Sequence, residues 1–487
     1  MHDILYVAST GDDAIFAIPN ASKDQNDNNP VLTVYKDPAH LHGPLGLVLA
    51  PNGDLITSNG DAVNENANQV NEIVEFTTTG HFVAQVQADS TGTPGGAFGI
   101  ALATFGGEVR FAVVDDNLNA VLLQALPNLP ATAPIVPNLF QNNATPEQTF
   151  STVPASGDVN PYGVAYVPAS YTGGGVLQAG DLLVSNFNNS SNTQGTGSSI
   201  ELITPSGQRS VFFQGPTGLG LTTALGVLKT GFVIVGSVPN DNGTIGSGSL
   251  MVLNASGQMV EQISDPNVLD GPWDLTINDQ GSLAQLFVSN VLSGTVTRIN
   301  LKIPANGPPI VQSMTQIATG YIHRPDPNAL LVGPTGLAFD AVHDILYVAS
   351  TGDNAIFAIP NALTAQTDFG TGAMIYQDVV HLHGPLGLVL APNGDLIAAN
   401  GDAVNANANQ TNEIVEFTPT GHFVAQVPVD FSGTPGGAFG IAIGTFGDEI
   451  RFAAVDDNLN AVNVWTFDPK AVATKKQVVT GRRGGRD

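Results

Sequence analysis

The 487-residue chain has no cysteine. That excludes disulfides, thiolate metal sites and a cysteine nucleophile, and leaves the compartment open. Charge is also scarce: 15 basic and 42 acidic residues make up 12% of the sequence. Six of the basic residues (Lys470, Lys475, Lys476, Arg482, Arg483 and Arg486) lie in 470–487 beside a single acid, Asp487, which leaves 9 basic and 41 acidic residues for 1–469. So acidic a body repels phosphate, so nucleic acid and anionic membrane are not expected partners. Cations, neutral glycans, peptides and basic proteins remain. The basic tail has glycine but no apolar periodicity and is expected to be disordered. No apolar run approaches the ~20 residues of a membrane span, so no membrane insertion is expected. No signal peptide is visible. Helical periodicity is missing throughout.

Glycine (55) and proline (32) are abundant, with much asparagine in the same stretches. That mix suits short strands joined by tight turns, because Gly and Asn tolerate positive φ. Residues 2–126 recur at 343–467 with a constant offset of 341. HLHGPLGLVLAPNGDLI (40–56) returns unchanged at 381–397, NEIVEF (71–76) at 412–417, and VDDNLNAV (114–121) at 455–462. Identity this high marks a recent duplication.

A weaker repeat of roughly four strands lies inside that period. First strands follow a Gly/Pro turn: PLGLVL (44–49), AFGIAL (97–102), PYGVAY (161–166), ALGVL (224–228), PWDLTI (272–277) and PTGLAF (334–339). Second strands include LYVAS (5–9), LITSN (55–59), LLVSN (182–186) and LFVSN (286–290). Short alternating strands in units of four predict an all-β propeller of four-stranded antiparallel blades. We count six blades in the 341-residue period, plus a partial second period.

Met1 aligns with Val342, and the strand that should precede it, GPTGLAFD, occurs only at 333–340. The natural chain is therefore expected to extend upstream, through a signal peptide, and to be extracellular or periplasmic. Within this sequence, 333–340 is the candidate inner strand for residues 3–37, which would close a six-bladed propeller over 1–341. Residues 342–469 would then be surplus blades, either a partial second propeller or an enlarged ring, followed by the tail at 470–487.

The cadence GPTGLAFD, LYVAS, NAIFAI at 333–359 resembles NHL repeats and the wider lactonase-like six-bladed propellers. NPYGVAY, GDLLVSNFNN, DGPWDLT and LFVSNVLSGTVTRINL, within 160–301, are similar to a family of bacterial exported NHL-like proteins. The resemblance covers nearly the whole chain. It implies the fold, while such propellers include lactonases, lyases and pure binders.

Metal-dependent lactonases of this architecture hold a divalent cation on inner strands with carboxylate and amide groups. Here the residues preceding the inner-strand glycine or its counterpart are Leu45, Phe98, Tyr162, Leu225, Trp273 and Thr335, poor ligands for a hard cation. Asp274 is the one acid in these segments. Peptidyl-hydroxyglycine lyases share the fold and use three histidines around zinc. His40, His42, His81 and His323 are the candidates here, although a loop hydrogen bond is the simpler role for His42.

Each second strand ends in a short polar residue, among them Asn59, Asp115, Asn186 and Asn290. These either cap the following turn or form a polar collar for a ligand. Tyr162, Trp273 and His42 are further ligand-binding candidates; core packing is the alternative for the aromatics. The Asx-rich loops NGDAVNENANQVNE (59–72), VDDNLN (114–119) and SNFNNSSNTQGTGSS (185–199) invite calcium, with Asp61, Asp115 and Asp116 as ligands. None has EF-hand spacing, and no GxSxG, HExxH or phosphate-binding glycine loop appears.

The resulting expectation is a secreted or periplasmic binding or scaffold propeller, its acidic, Asx-rich loop face presented to a glycan, peptide or protein. No cofactor is firmly implied, and the enzyme question leans towards no. The alternatives are a metal-dependent, lactonase-like hydrolase or lyase at the axial pocket, and a tandem-propeller surface adhesin.

Overall fold

The computed structural model describes residues 4–19, 21, 31–50, 53–78, 80–89, 91–105, 108–130, 139–140, 145–327, 329–447 and 449–467. The basic tail lies outside them. Every regular element among them is a β-strand, so none of them forms a helix that could cross a membrane. The chain divides into two compact units, Met1–Ile135 and Val136–Asp487.

The second unit is an all-β propeller of six four-stranded antiparallel sheets. Its inner strands are Val159–Tyr166, Leu221–Val227, Pro272–Asp279, Pro334–Asp340, Pro385–Leu390 and Ala438–Phe446. Each packs beside the next, and Ala438–Phe446 packs back on Val159–Tyr166, closing the ring. Apolar wedges fill all the gaps between neighbouring sheets. Leu183, Leu202, Leu225 and Val235 fill one; Val164, Val184, Val455 and Val462 fill the gap where the ring closes. Alternation along each strand supplies both faces, since successive side chains point to opposite sides.

The last sheet takes its outer strand from the start of the unit. Gln148–Ser151 pairs with Ala461–Phe467, joining Phe150 to Val462. Thr149 Oγ1 lies 2.6 Å from Asn463 Oδ1, and Thr152 donates from N and Oγ1 to the Asn460 carbonyl.

The Pro-x-Gly pattern of the inner strands reflects crowding at the axis. A Cβ on Gly336 would stand 2.2 Å from the Leu386 carbonyl oxygen, and one on Gly440 2.0 Å from that of Tyr162. Hydroxyl groups stitch the neighbours together there. Ser185 donates to the Thr222 carbonyl, Thr222 to Pro272, Ser289 to Thr335 and Thr335 to Pro385. Gly226, aligned by sequence with these glycines, lies instead inside the paired strand opposite Ile234. The irregular stretch in that sheet holds Thr222, Thr223 and Ala224.

The first unit holds three antiparallel sheets: Ile4–Ser9 with Ala14–Pro19 and Leu32–Tyr35; Pro44–Leu49 through Phe82–Gln87; and Ala97–Phe105 with Glu108–Asp115 and Ala120–Pro130. Wedges around Ile15, Val74 and Phe76, and around Ile56, Ile73 and Phe111, hold them side by side.

Two expectations are corrected. Pro334–Asp340 does not complete the sheet of residues 3–37; it pairs with Ile345–Ser350. The ring therefore crosses the expected boundary at 341 and uses residues 342–467 as integral sheets, and the first copy stands outside it. The cause is local: a short turn joins those two strands, so their pairing has a small loop-closure cost, whereas Ile4–Ser9 lies more than 300 residues away.

Candidate functional site

The inner strands of the ring surround an axial cavity of about 370 Å³, lined by Val164, Thr223, Leu225, Asp274, Leu337 and Ile441 among others. Asp274 is the one carboxyl in its wall. It stands where other inner strands carry glycine. Its N–H donates to Ser289 Oγ as that of Gly163 donates to Ser185 Oγ. One carboxylate oxygen accepts the Leu275 N–H at 2.7 Å, and the Leu337 N–H also points to the group. Both bonds favour the charged form, yet burial outweighs them and pushes the pKa up to about 8. At neutral pH this carboxyl is mostly protonated, able to donate one hydrogen bond and accept another.

The sequence candidates for ligand contact are all buried: Asn59, Asp115, Asn186, Asn290, Tyr162, Trp273 and His42. Several of their polar groups serve the fold. Asn59 Oδ1 accepts the His42 N–H while its amide donates to the His40 carbonyl. Asn186 donates to the Thr152 carbonyl, Asn290 to that of Val268, and Asp115 caps the Leu118 N–H. The three asparagines thus spend their amides on the loop ahead of their inner strand, and Asp115 on the turn that follows its own. Tyr162 stacks on Phe187 at 4.6 Å and meets Trp273 edge-on. Their apolar mass is core.

The Asx-rich loops are similarly knitted. Asn64 donates to the Pro38 and Leu41 carbonyls, Asn71 to Asp89 and the Thr93 carbonyl, and Asn117 to that same carbonyl. His40 pairs with Asp37 at 2.6 Å and stacks on Phe82. His323 lies 2.9 Å from the Tyr321 carbonyl.

Two clusters bring metal-capable donors together: His42 with Asp61 and Glu72, and His383 with Asp402 and Glu413. The partners of Asp61 are thus an imidazole and a glutamate, in place of the expected Asp115 and Asp116. His42 comes from the loop before an inner strand, Asp61 from the turn after the second strand, and Glu72 from the start of the third. Sequence reading missed Glu72 because NEIVEF reads simply as a strand. Burial raises the pKa of Glu72, Asp402 and Glu413, and repulsion from Asp61, Asp430 and Asp402 respectively adds to it. Each cluster holds one histidine, and neither includes Asp274. Among the described residues, neither the three-histidine zinc set nor an axial metal group is assembled.

No protein-family model and no curated protein matches the chain. Among solved structures, it is similar to a gluconolactonase from Xanthomonas campestris at 13% identity, covering 66% of this chain and 96% of that one, with a TM-score of 0.41. A calcium-binding regucalcin from Agrobacterium tumefaciens matches at 12% identity, over 65% and 92% of the two chains, with a TM-score of 0.39. A Thermus thermophilus protein described as an oxidoreductase (glucose dehydrogenase) matches at 14% identity over 65% and 99%, also at 0.39.

Proposed function

We propose that the protein is a binding propeller that takes a neutral, hydroxyl- or carbonyl-bearing ligand, such as a glycan or peptide segment, at its axial cavity. The observation that carries this reading is Asp274: one uncharged carboxyl in an otherwise uncharged wall. A neutral acid beside apolar walls suits recognition of an acceptor oxygen and disfavours an anion. It does not suit a lactonase-like metal reaction, which needs several oxygen ligands converging on one cation. The knitted Asx-rich loops support a second, rigid surface for a protein or glycan partner, as in the scaffold reading.

The test is calorimetry of the purified chain against a panel of neutral oligosaccharides and blocked peptides. Binding should weaken at least tenfold in Asp274→Ala and should fall in the wild type as pH rises past 8. A parallel assay follows hydrolysis of gluconolactone with added calcium, manganese or zinc. Turnover that chelator stops and Asp274→Ala abolishes would favour the hydrolase instead.

A further inference from the structure

The His–Asp–Glu clusters lie outside the axial cavity and have no part in the reading above. In the first, His42 is 1% exposed, Asp61 6% and Glu72 1%; in the second, His383 is 1%, Asp402 7% and Glu413 3%. One donor atom from each of the three side chains lies within 4.8 Å of the other two. Several of their polar atoms are buried without a hydrogen-bond partner: His42 Nε2, Asp61 Oδ1 and Glu72 Oε1 in one, His383 Nδ1 and Asp402 Oδ1 in the other. A buried acceptor or imidazole nitrogen left unpaired is destabilising, and here several belong to three side chains that already converge.

The aspartates and the histidine backbones are held alike in both copies. Asp61 Oδ2 accepts the N–H groups of Asn71 and Gly95, as Asp402 Oδ2 accepts those of Asn412 and Gly436. That leaves Oδ1 of each aspartate free. The histidine backbone is fixed by Asn59 or Asn400. Its ring stands 3.4 Å from Glu72 in one copy and 3.5 Å from Glu413 in the other.

We propose that each cluster binds one divalent first-row transition ion, with zinc the best fit, so that the chain carries two structural metal sites. Three donors of this kind sit about 2.0–2.2 Å from zinc, so binding would draw the three side chains together from their spacing of up to 4.8 Å. One imidazole with two carboxylates selects zinc or a similar ion over calcium, which prefers six to eight oxygens. Near-complete burial leaves no approach for a substrate, so the role is structural. The ion ties the Asx-rich loop at 59–72, and its counterpart at 400–413, to the strand each precedes.

The experiment uses the untagged full chain, stripped with chelator and titrated with zinc by calorimetry. Two equivalents should bind, one in His42→Ala, one in His383→Ala and none in the double variant. Glu72→Gln and Glu413→Gln keep side-chain shape, and circular dichroism confirms that their sheets persist. Each should weaken its own site at least tenfold. Cobalt should give visible bands that disappear in the double variant. Failure to bind zinc, a stoichiometry indifferent to these substitutions, or a site that takes calcium more tightly than zinc would overturn the proposal.

Discussion

Leu5 and Leu346 hold the same place in two copies of the strand ILYVAS, yet Leu5 is 51% exposed and Leu346 fully buried. The difference lies in the neighbours. Pro334–Asp340 pairs along Ile345–Ser350, and Leu346 enters the wedge with Phe287, Val296 and Val348. Leu346→Ala should therefore lower the stability of the ring by about 2–5 kcal/mol, and Leu5→Ala should change it by about 0.5 kcal/mol at most. Both tryptophans, Trp273 and Trp465, belong to the second unit. Denaturation followed by their fluorescence reads that unit alone.

Asn460 secures the place where the ring closes. It adopts a positive φ of 49° and its side chain accepts the Asn160 N–H at 2.8 Å. Asn460→Ala should cost about 2–3 kcal/mol, combining the left-handed backbone penalty with a lost acceptor for the part-buried Asn160 N–H. Asn460→Gly relieves the backbone part and should recover some of that loss. Equal effects of the two substitutions in urea melts would mean that the backbone angle is irrelevant.

Asp274 makes a signed statement about pH. Its folded pKa of about 8 lies above the ordinary aspartate value of 3.8. Between the two, the folded chain holds a proton that the unfolded chain has lost, so this group's contribution falls as pH rises from about 4 to 8. The slope is at most about 1.4 kcal/mol per pH unit. Asp274→Asn should be flatter than wild type across that window and nearly parallel to it above pH 8. Parallel curves throughout would place the carboxyl's titration elsewhere.

Gly336 tests the crowding at the axis. Its would-be Cβ meets the Leu386 carbonyl and Leu388 nitrogen, both backbone atoms that cannot rotate away. Gly336→Ala should destabilise the ring by about 1–3 kcal/mol as an overpacking change. Gly174, with open space around it, should tolerate alanine within about 0.5 kcal/mol in the same melts.

Much of the fold was legible because period-two strands and turn residues recur at even spacing. LLVSN and LFVSN fall within Leu182–Asn188 and Leu283–Asn290. Which copy enters the ring was not legible, because both carry the same apolar pattern. Small departures between the copies bear on it: Asn463, which meets Thr149, is Leu122 in the first copy. Asp115 caps its following turn as residue type suggests, whereas Asn59, Asn186 and Asn290 hold loops 19 to 34 residues upstream, which residue type alone does not reveal. Asp274 was visible as a lone acid, but its protonation depends on burial that only the closed axis creates. The His42 cluster escaped because its members come from a loop, a turn and a strand, with no compact motif to join them.

The outer strand Gln148–Ser151 has a consequence for synthesis. On a ribosome it emerges long before Ala461–Phe467, the partner that completes its sheet. Until then the nascent protein must keep that edge unsatisfied while five sheets assemble. The final clasp therefore delays closure of this ring until residues 461–467 have emerged, and a chain stalled before residue 461 is left with an open, adhesive margin.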